Sequence, residues 1–369
     1  MRRSVTRRSR REFIHQVGVA AITAPVAASL ITSAHAQEDK RLGFALVGLG
    51  SLSTNQIAPA LQKTKHCRLA GIVTGTPAKE QAWADKYNIP RKNIYNYENF
   101  DRVADNPDID VVYVVLPNAM HGEYTIRAAR AGKHVLCEKP MEVSVKKCEQ
   151  MIEACKKANR KLAIGYRCQF VPHHVEAIRL AREKVFGDVK LIEASFGFRI
   201  GDPNQWRLKR ALAGGGALMD VGIYALQGAR YISGEEPVEV FASETKTDTV
   251  KFEEVDESIL WSMRFPSGVM ANCGTSYLVG GMNRLFAAAE KGWFQLDPAY
   301  SYSGIQGKTN RGLMEFPQVD HFATEMDDFA LCIKNNKPTK VPGEEGLRDV
   351  KIMTAIYESI RKGRPVKLG

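Results

Sequence analysis

Three side chains in this sequence have types and settings suited to moving a proton at a hydroxyl group: Lys139, Asp220 and Tyr224. Lys139 lies in Leu136-Cys137-Glu138-Lys139-Pro140, directly after the short β-like run His134 to Leu136. The residue before a proline is driven out of helical geometry, so Lys139 is expected on a fixed, extended corner. An ammonium there can hold a hydroxyl and, by stabilising an anion, lower the pKa of a neighbouring acid. Asp220 and Tyr224 fall in the segment Gly214-Gly215-Gly216-Ala217-Leu218-Met219-Asp220-Val221-Gly222-Ile223-Tyr224. If Ala217 opens a helix, residues four apart project from one face. An acid and a phenol so placed can act together on one hydroxyl, and the lysine completes the group. Each also has a plainer reading: Lys139 as a solvated residue at a helix start with Pro140 as its first residue, Asp220 as a cap, Tyr224 as a half-buried core side chain.

Such a group needs a scaffold that brings residue 139 to residues 220 and 224. From Leu42 the chain alternates strand and helix in the manner of a parallel α/β domain. The apolar strand Leu42 to Val47 runs into Gly48-Leu49-Gly50-Ser51-Leu52-Ser53, and a helix is expected from about Asn55 to Thr64. Glycines so spaced between a strand and a helix allow a tight turn and close approach of backbone to a pyrophosphate, with Gly48, Gly50, Ser51 and Leu52 at the dinucleotide. Ser53 stands where Gly or Ala is usual and asks for slightly looser helix packing. The next strand, Arg68 to Val73, ends in Thr74-Gly75-Thr76-Pro77-Ala78-Lys79 with no acid between Arg68 and Lys79. NAD enzymes place an Asp or Glu there for the ribose 2′-hydroxyl. Thr74, Thr76 and Lys79 suit a 2′-phosphate instead, so the expected cofactor is NADP; otherwise Lys79 is a solvated helix residue.

Later strands place polar residues along the same lip of the sheet. Pro117-Asn118 follows Val111 to Leu116, Glu138-Lys139 follows His134 to Leu136, and Tyr166-Arg167 follows Leu162 to Gly165. His121 joins this cofactor edge, or else is a helix-start residue bonded to backbone. Beyond Pro172 the sequence turns β-rich, with alternating runs at Lys190 to Phe198, Val238 to Thr245, Ile259 to Phe265, Val269 to Thr275 and Arg284 to Ala289. Two final helices, about Val319 to Asn335 and Glu345 to Lys362, are expected to pack back across the first domain.

The 369 residues leave room for two domains, and 44% hydrophobic with 25% charged residues excludes disorder and a membrane bundle. The net charge is +11, but the first 36 residues hold six arginines against Glu12 alone, leaving +6 over the remainder. No Lys/Arg stripe with interleaved aromatics occurs there, so nucleic acid is not an expected partner. The same 36 residues read as an export signal. A basic region containing Arg10-Arg11 precedes the apolar run Val17 to Ile31 and the A-x-A site Ala34-His35-Ala36. The paired arginines resemble the twin-arginine signal for export of folded proteins, so a periplasmic mature chain from about Gln37, with no membrane contact, is expected. Seven cysteines show no CxxC spacing, so no metal is expected and the thiols should be free and buried.

The segments Gly48-Leu49-Gly50, Glu138-Lys139-Pro140, Gly165-Tyr166-Arg167, Gln205-Trp206-Arg207 and Gly214 to Tyr224 together resemble the Gfo/Idh/MocA oxidoreductase family. Within it, the likeness is to the branch of periplasmic glucose-fructose and aldose-aldose oxidoreductases. Many members carry His where this chain has Tyr224, and the tyrosine is similar to that branch. The resemblance implies an α/β fold: a Rossmann NADP-binding domain, here residues 37–165, then an α+β domain, residues 166–369, with an open, mostly antiparallel sheet. The exposed face of that sheet implies a homodimer. The resemblance also implies roles. Tyr224 takes the proton of a sugar's anomeric hydroxyl, helped by Lys139, and Asp220 orients the sugar. Arg167, Trp206, Arg207 and Tyr302 line the substrate site, with Arg167 also near the cofactor, Tyr97 by the adenine or its phosphate, and the Lys139-Pro140 bond cis. Only Gln37 to Arg41 precede Leu42, too short for the arm that stabilises tetramers in the glucose-fructose enzymes, which favours a dimer and the aldose-aldose branch. The activity so implied is NADP-dependent oxidation of an aldose to its lactone, coupled on a retained cofactor to reduction of a second sugar to an alditol. An ordinary sugar dehydrogenase with exchangeable cofactor, or a non-catalytic NADP-binding sensor, are the alternatives.

Overall fold

The computed structural model describes residues 41–369, and the expected export signal and cleavage site lie outside them. The first domain is a six-stranded, wholly parallel sheet. Its strands are β1 (Leu42–Val47), β2 (Cys67–Val73), β3 (Ile94–Tyr95), β4 (Val111–Val114), β5 (His134–Cys137) and β6 (Leu162–Ile164), in the spatial order β3-β2-β1-β4-β5-β6. The central strands are continuous apolar runs because helices cover both faces: Phe44 to Val47 and Val111 to Val114 are fully buried. The strand order reverses between β1 and β4, and at that switch point the carboxyl ends leave a crevice.

Helices α1 (Ala58–Leu61), α2 (Pro77–Tyr87), α3 (His121–Arg130) and α4 (Val145–Lys157) connect these strands. The first of them differs from the sequence expectation. Helical winding begins at Ser51, and Ser53–Ile57 is π-helical before α1. Ser53 loosens nothing: it is fully buried and donates its hydroxyl to the Gly48 carbonyl at 2.6 Å.

The second domain begins with α5 (Pro172–Arg182) and β7 (Val189–Gly197). A short α6 (Arg210–Ala213) leads through the glycine triplet into the π-helical turn Leu218–Gly222 and α7 (Ile223–Ser233). Then come β8 (Glu239–Thr245), β9 (Ser258–Arg264), β10 (Met270–Ser276), β11 (Asn283–Ala289), β12 (Gly292–Leu296), β13 (Gly307–Thr309) and β14 (Gly312–Met314). The long helices α8 (His321–Lys334) and α9 (Gly343–Lys362) and the edge strand β15 (Val366–Lys367) finish the chain. The nine-stranded sheet has the order β14-β13-β12-β11-β7-β10-β9-β8-β15, antiparallel except for the central pair β7 and β10. One face is covered by α7 and α9; the other carries exposed Leu191, Phe241, Leu260 and Met270.

Helix α8 returns to the first domain, packing on β2 and α1. The Asp327 carboxylate accepts from the backbone N–H groups of Lys65 and His66. Helix α9 packs on α4, β6 and β8. All seven cysteines are free, six of them buried. Among the described residues no helix is long and apolar enough to cross a membrane, and no cluster of metal-ligating side chains occurs.

Candidate active site

A cleft of about 640 Å³ opens at the switch point. Its floor is the turn after β1, where Gly48 has φ +92° and a Cβ would sit 2.3 Å from the Val115 carbonyl oxygen, so only glycine fits. At Gly50 a Cβ would meet nothing within 4 Å, because it would point into the open cleft. Thr74, Gly75, Thr76 and Lys79 line the cleft beyond β2, Pro117 and Asn118 beyond β4, and Glu138 and Lys139 beyond β5. The Lys79 ammonium donates to the Leu49 carbonyl at 2.9 Å, which holds it over the glycine turn. Tyr97 lies against Gly75 and packs edge-on to Tyr124. These features form a backbone cradle, a free space where a side chain would stand, and a cation without a competing acid, and they fit a dinucleotide carrying a 2′-phosphate.

A second cavity, of about 610 Å³, adjoins the first on the side of the second domain. Phe196 and Phe198 from β7 and the loop after it, with Tyr300 and Tyr302, give it aromatic walls; Gln205, Arg207 and Asn55 give it polar ones. Lys139, Asp220 and Tyr224 line both cavities, so they form the wall at which occupants of the two would meet.

Within that wall the contacts are specific. The Lys139-Pro140 bond is cis, no helix begins at Pro140, and the lysine ammonium reaches across the domains to Asp220. It donates to the Asp220 backbone carbonyl at 2.6 Å and to the carboxylate at 3.2 Å. The carbonyl is within reach because Asp220 lies in the π-helical turn, where Ile223 N–H bonds back to Leu218. Such widened turns take carbonyls off the α-helical ladder and let a side chain in. The other carboxylate oxygen accepts from Arg207 Nε at 3.0 Å and from the Tyr277 hydroxyl at 2.9 Å. Burial alone would raise the Asp220 pKa, but the Arg207 and Lys139 cations and the Tyr277 hydroxyl outweigh it and hold the carboxyl at about 2. Asp220 is therefore an anion at neutral pH.

The turn is anchored from below. The Asp256 carboxylate accepts from Gly216 N–H at 2.6 Å, Leu218 N–H at 2.8 Å and the Tyr357 hydroxyl at 2.6 Å, pinning the helix start to α9. A Cβ on Gly216 would lie 1.9 Å from the Asp256 carbonyl oxygen, which explains a glycine there.

Tyr224 is nine-tenths buried, and its hydroxyl accepts from Arg167 Nε at 3.1 Å. Burial pushes its pKa up and the Arg167 charge pulls it down, with burial the larger. The Lys139 ammonium instead sits 5.0 Å from the centre of the Tyr224 ring. The cation bonded to the phenol oxygen is thus Arg167, not the lysine the sequence singled out. His321 supports Arg167. Its Nε2 lies 2.7 Å from the Tyr302 carbonyl, which can only accept, so its Nδ1 accepts from Arg167. Burial first and Arg167 second lower the His321 pKa to about 4, and the ring stays neutral.

Two residues expected at the cofactor do not line the nucleotide cleft. His121 is fully buried, its ring nitrogens 2.9 Å and 2.8 Å from the Pro140 and Leu116 carbonyls, one of which takes its N–H, and it touches neither cavity. It braces the two strand ends instead. Arg167 lines the aromatic cavity and not the nucleotide cleft. Two others reach the cleft while their side chains serve the fold. The Glu138 carboxylate accepts from the Tyr113 hydroxyl at 2.7 Å, and the Asn118 amide donates to the Ala213 carbonyl at 2.9 Å. Arg207 and Tyr302 line both cavities, whereas Trp206, expected at the substrate, lines the nucleotide cleft and not the aromatic cavity, with Arg207 stacked on it at 4.5 Å. Sequence reasoning missed His321, Tyr277 and Asp256, each remote in the chain from the motif it supports.

A parallel sheet with a glycine turn at its switch point, facing a second sheet through a Lys-Asp-Tyr wall, defines a dinucleotide-dependent oxidoreductase. The chain matches the profile described as the oxidoreductase family with NAD-binding Rossmann fold over residues 42–166. It also matches the GFO/IDH/MocA C-terminal domain over residues 174–295 and the oxidoreductase C-terminal alpha/beta domain over residues 302–368. It belongs to the Gfo/Idh/MocA oxidoreductase family. The solved aldose-aldose oxidoreductase from Caulobacter crescentus, complexed with glycerol, is 47% identical, covers 89% of this chain and 100% of its own, and superposes with a TM-score of 0.86. The NADP-dependent D-xylose 1-dehydrogenase of Haloarcula marismortui is 29% identical over 89% of this chain and 94% of its own. A second NADP-dependent D-xylose 1-dehydrogenase, from Haloferax volcanii, is 28% identical over 88% of this chain and 99% of its own.

Proposed function

We propose that this protein is an NADP-dependent sugar oxidoreductase that oxidises an aldose at C1 to its lactone and reduces a second sugar to an alditol on the same retained nucleotide. The observation that carries this reading is the shared wall: Lys139, Asp220 and Tyr224 stand between a nucleotide-shaped cleft and an aromatic cavity. The names of the relatives, aldose-aldose oxidoreductase and NADP-dependent xylose dehydrogenases, support both the cofactor and the substrate class. Gly48, Gly50, Ser51 and Leu52 would hold the pyrophosphate, and Thr74, Thr76 and Lys79 the 2′-phosphate. NADP, when bound, supplies the acceptor for the C1 hydride and, once reduced, its donor.

Each residue of the wall then has a task. Tyr224 takes the O1 proton of the first sugar and returns a proton to the carbonyl oxygen of the second, so the proton account closes over the cycle. Asp220, anionic at neutral pH, accepts a hydroxyl of the sugar and fixes its ring relative to Tyr224. Lys139, held by Asp220, presents its remaining N–H to the sugar from the first domain. The aromatic walls receive the apolar ring face, and Arg207 and Gln205 select its hydroxyls. We further propose that the exposed sheet face pairs two copies of the chain, and that the protein works in the periplasm after export in the folded state.

The test is spectroscopic. Purified protein is given an aldose and then a second sugar with no nucleotide added, while the reduced-nicotinamide band is followed. A rise on the first and a fall on the second supports the coupled cycle. No change until NADP is supplied identifies a dehydrogenase with exchangeable cofactor. Tyr224→Phe should keep NADP binding and lose about 10²- to 10⁴-fold in kcat; a variant that still turns over removes Tyr224 from the chemistry.

A further inference from the structure

Arg167 follows β6 in a short 3₁₀ turn and is only 2% exposed. A buried guanidinium is costly unless an anion answers it. The comparison within the molecule is Arg230 on α7, equally buried, which meets the carboxylates of Glu236, Glu345 and Asp349. Arg167 meets none among the described residues. Its N–H groups go to the carbonyls of Tyr300 and Ser301, to the neutral ring of His321, and through Nε to the phenol oxygen of Tyr224. Of these four partners, only the phenol can become an anion. The guanidinium also lies 4.8 Å from the Tyr224 ring centre, so charge and hydrogen bond reach the same group.

We infer that Arg167 is the positioning residue that makes Tyr224 a proton acceptor, standing as counter-ion to its phenolate, while Lys139 is committed to Asp220. The inference rests on the proposed role of Tyr224 and names the cation that role requires. When O1–H and C1–H of the sugar break, the proton goes to the Tyr224 oxygen and the hydride to the nicotinamide. C1=O and the phenol O–H form, the sugar losing two electrons and the nucleotide gaining them.

Other groups face the pair from every side. Glu138 comes from the end of β5, Glu325 and His321 from α8, Cys168 from Arg167's own turn, Tyr300 and Tyr302 from the loop after β12, and His174 from α5. Burial pushes Glu138 up and Glu325 far up; both carboxyls feel the Arg167 charge, but neither forms a hydrogen bond or ion pair with it, and Glu325 has no hydrogen-bond partner at either oxygen. Burial raises the Cys168 thiol and keeps His174 and His321 neutral. Tyr302 is raised to about 12 by its own burial and then by Tyr224, and its ring, not its hydroxyl, faces Arg167.

The test compares Arg167→Gln, which still donates but carries no charge, with Arg167→Lys, which restores the charge. Two readouts are taken on the full-length protein with NADP: the pH profile of kcat with D-glucose, and the ultraviolet tyrosinate titration, each read against its Tyr224→Phe counterpart so that only this phenol counts. Arg167→Gln should displace both the rate limb and the phenolate titration upward by about 1 to 3 pH units, with kcat down about 100-fold at neutral pH and KM little changed. Arg167→Lys should bring both back toward the parent. A fall in kcat with the limb and titration unmoved, or equal displacement in both variants, overturns the inference. Should Arg167→Gln not fold, Lys139→Met decides by titration: an unmoved Tyr224 supports Arg167, and an upward displacement assigns the role to the lysine. Turnover persisting in Tyr224→Phe defeats the earlier reading of the base itself and is distinguishable from all of these.

Discussion

Replacing Asp220 with asparagine removes one charge and leaves the shape of the wall. The Asp220 side chain is 15% exposed, and the carboxyl is held at about 2 against an ordinary 3.8. Each tenfold in acidity is about 1.4 kcal/mol, so the folded state favours the anion by about 2 to 3 kcal/mol. Because the folded value is the depressed one, this stability is fully present above pH 3.8 and is lost as pH falls toward 2. Asp220→Asn forfeits it at neutral pH and also leaves Lys139 and Arg207 facing each other without their shared anion, a loss that brings the total to about 3 to 5 kcal/mol. Urea unfolding of parent and variant at several pH values measures the difference. It should be flat from pH 8 to pH 5, where the parent carboxylate stays ionised. A difference below about 1 kcal/mol, or one that changes between pH 7 and pH 5, would refute the assignment, since a carboxyl held at about 2 does not titrate in that range.

Two other outcomes follow from the geometry. Gly50→Val should leave the fold and melting temperature nearly unchanged and weaken NADP binding at least about tenfold, because its side chain enters only the cleft. Gly48→Val should instead destabilise the protein by several kcal/mol, about 3 or more, through its positive φ and the Val115 carbonyl. If the two effects are reversed, or Gly50→Val binds NADP normally, the cradle is misplaced. For the exposed sheet face, light scattering of Phe241→Lys with Leu260→Lys should read as a monomer where the parent reads as a dimer; Leu260 is 59% exposed in the single chain. A parent that is monomeric, or a doubly substituted dimer, rules out this face.

The parallel sheet was legible in the sequence because its central strands are unbroken apolar runs ending in motif residues. Gly48, Gly50 and Lys139 could therefore be placed at strand ends before any contact was known. Asp220 and Tyr224 were paired by helical spacing, although the helix between them is wound partly as a π turn; the one-residue slip is invisible in a pattern of small and apolar residues. The short strands β3 and β12 to β15 carried too few alternating residues to stand out. Charge was the least legible feature. Lys139 and Arg167 both follow strand ends, and nothing local says which cation bonds the phenol. That depends on Tyr300, Ser301 and His321, more than 130 residues further on, which form the arginine's socket. His121 was ambiguous for the opposite reason: a histidine at a helix start looks the same whether its nitrogens face a ligand or two carbonyls.

The return of α8 to the first sheet also bears on the order in which the molecule can assemble. The strands and crossovers of the first domain are all synthesised by residue 164, yet the backbone of Lys65 and His66 finds its acceptor only at Asp327. One face of the early sheet stays partly bare until residue 334 has been added. Contacts spanning some 260 residues are slow to close, so this part of the first domain's packing comes after its own strands have paired. The first domain thus reaches its final packing only when α8 has docked on β2 and α1.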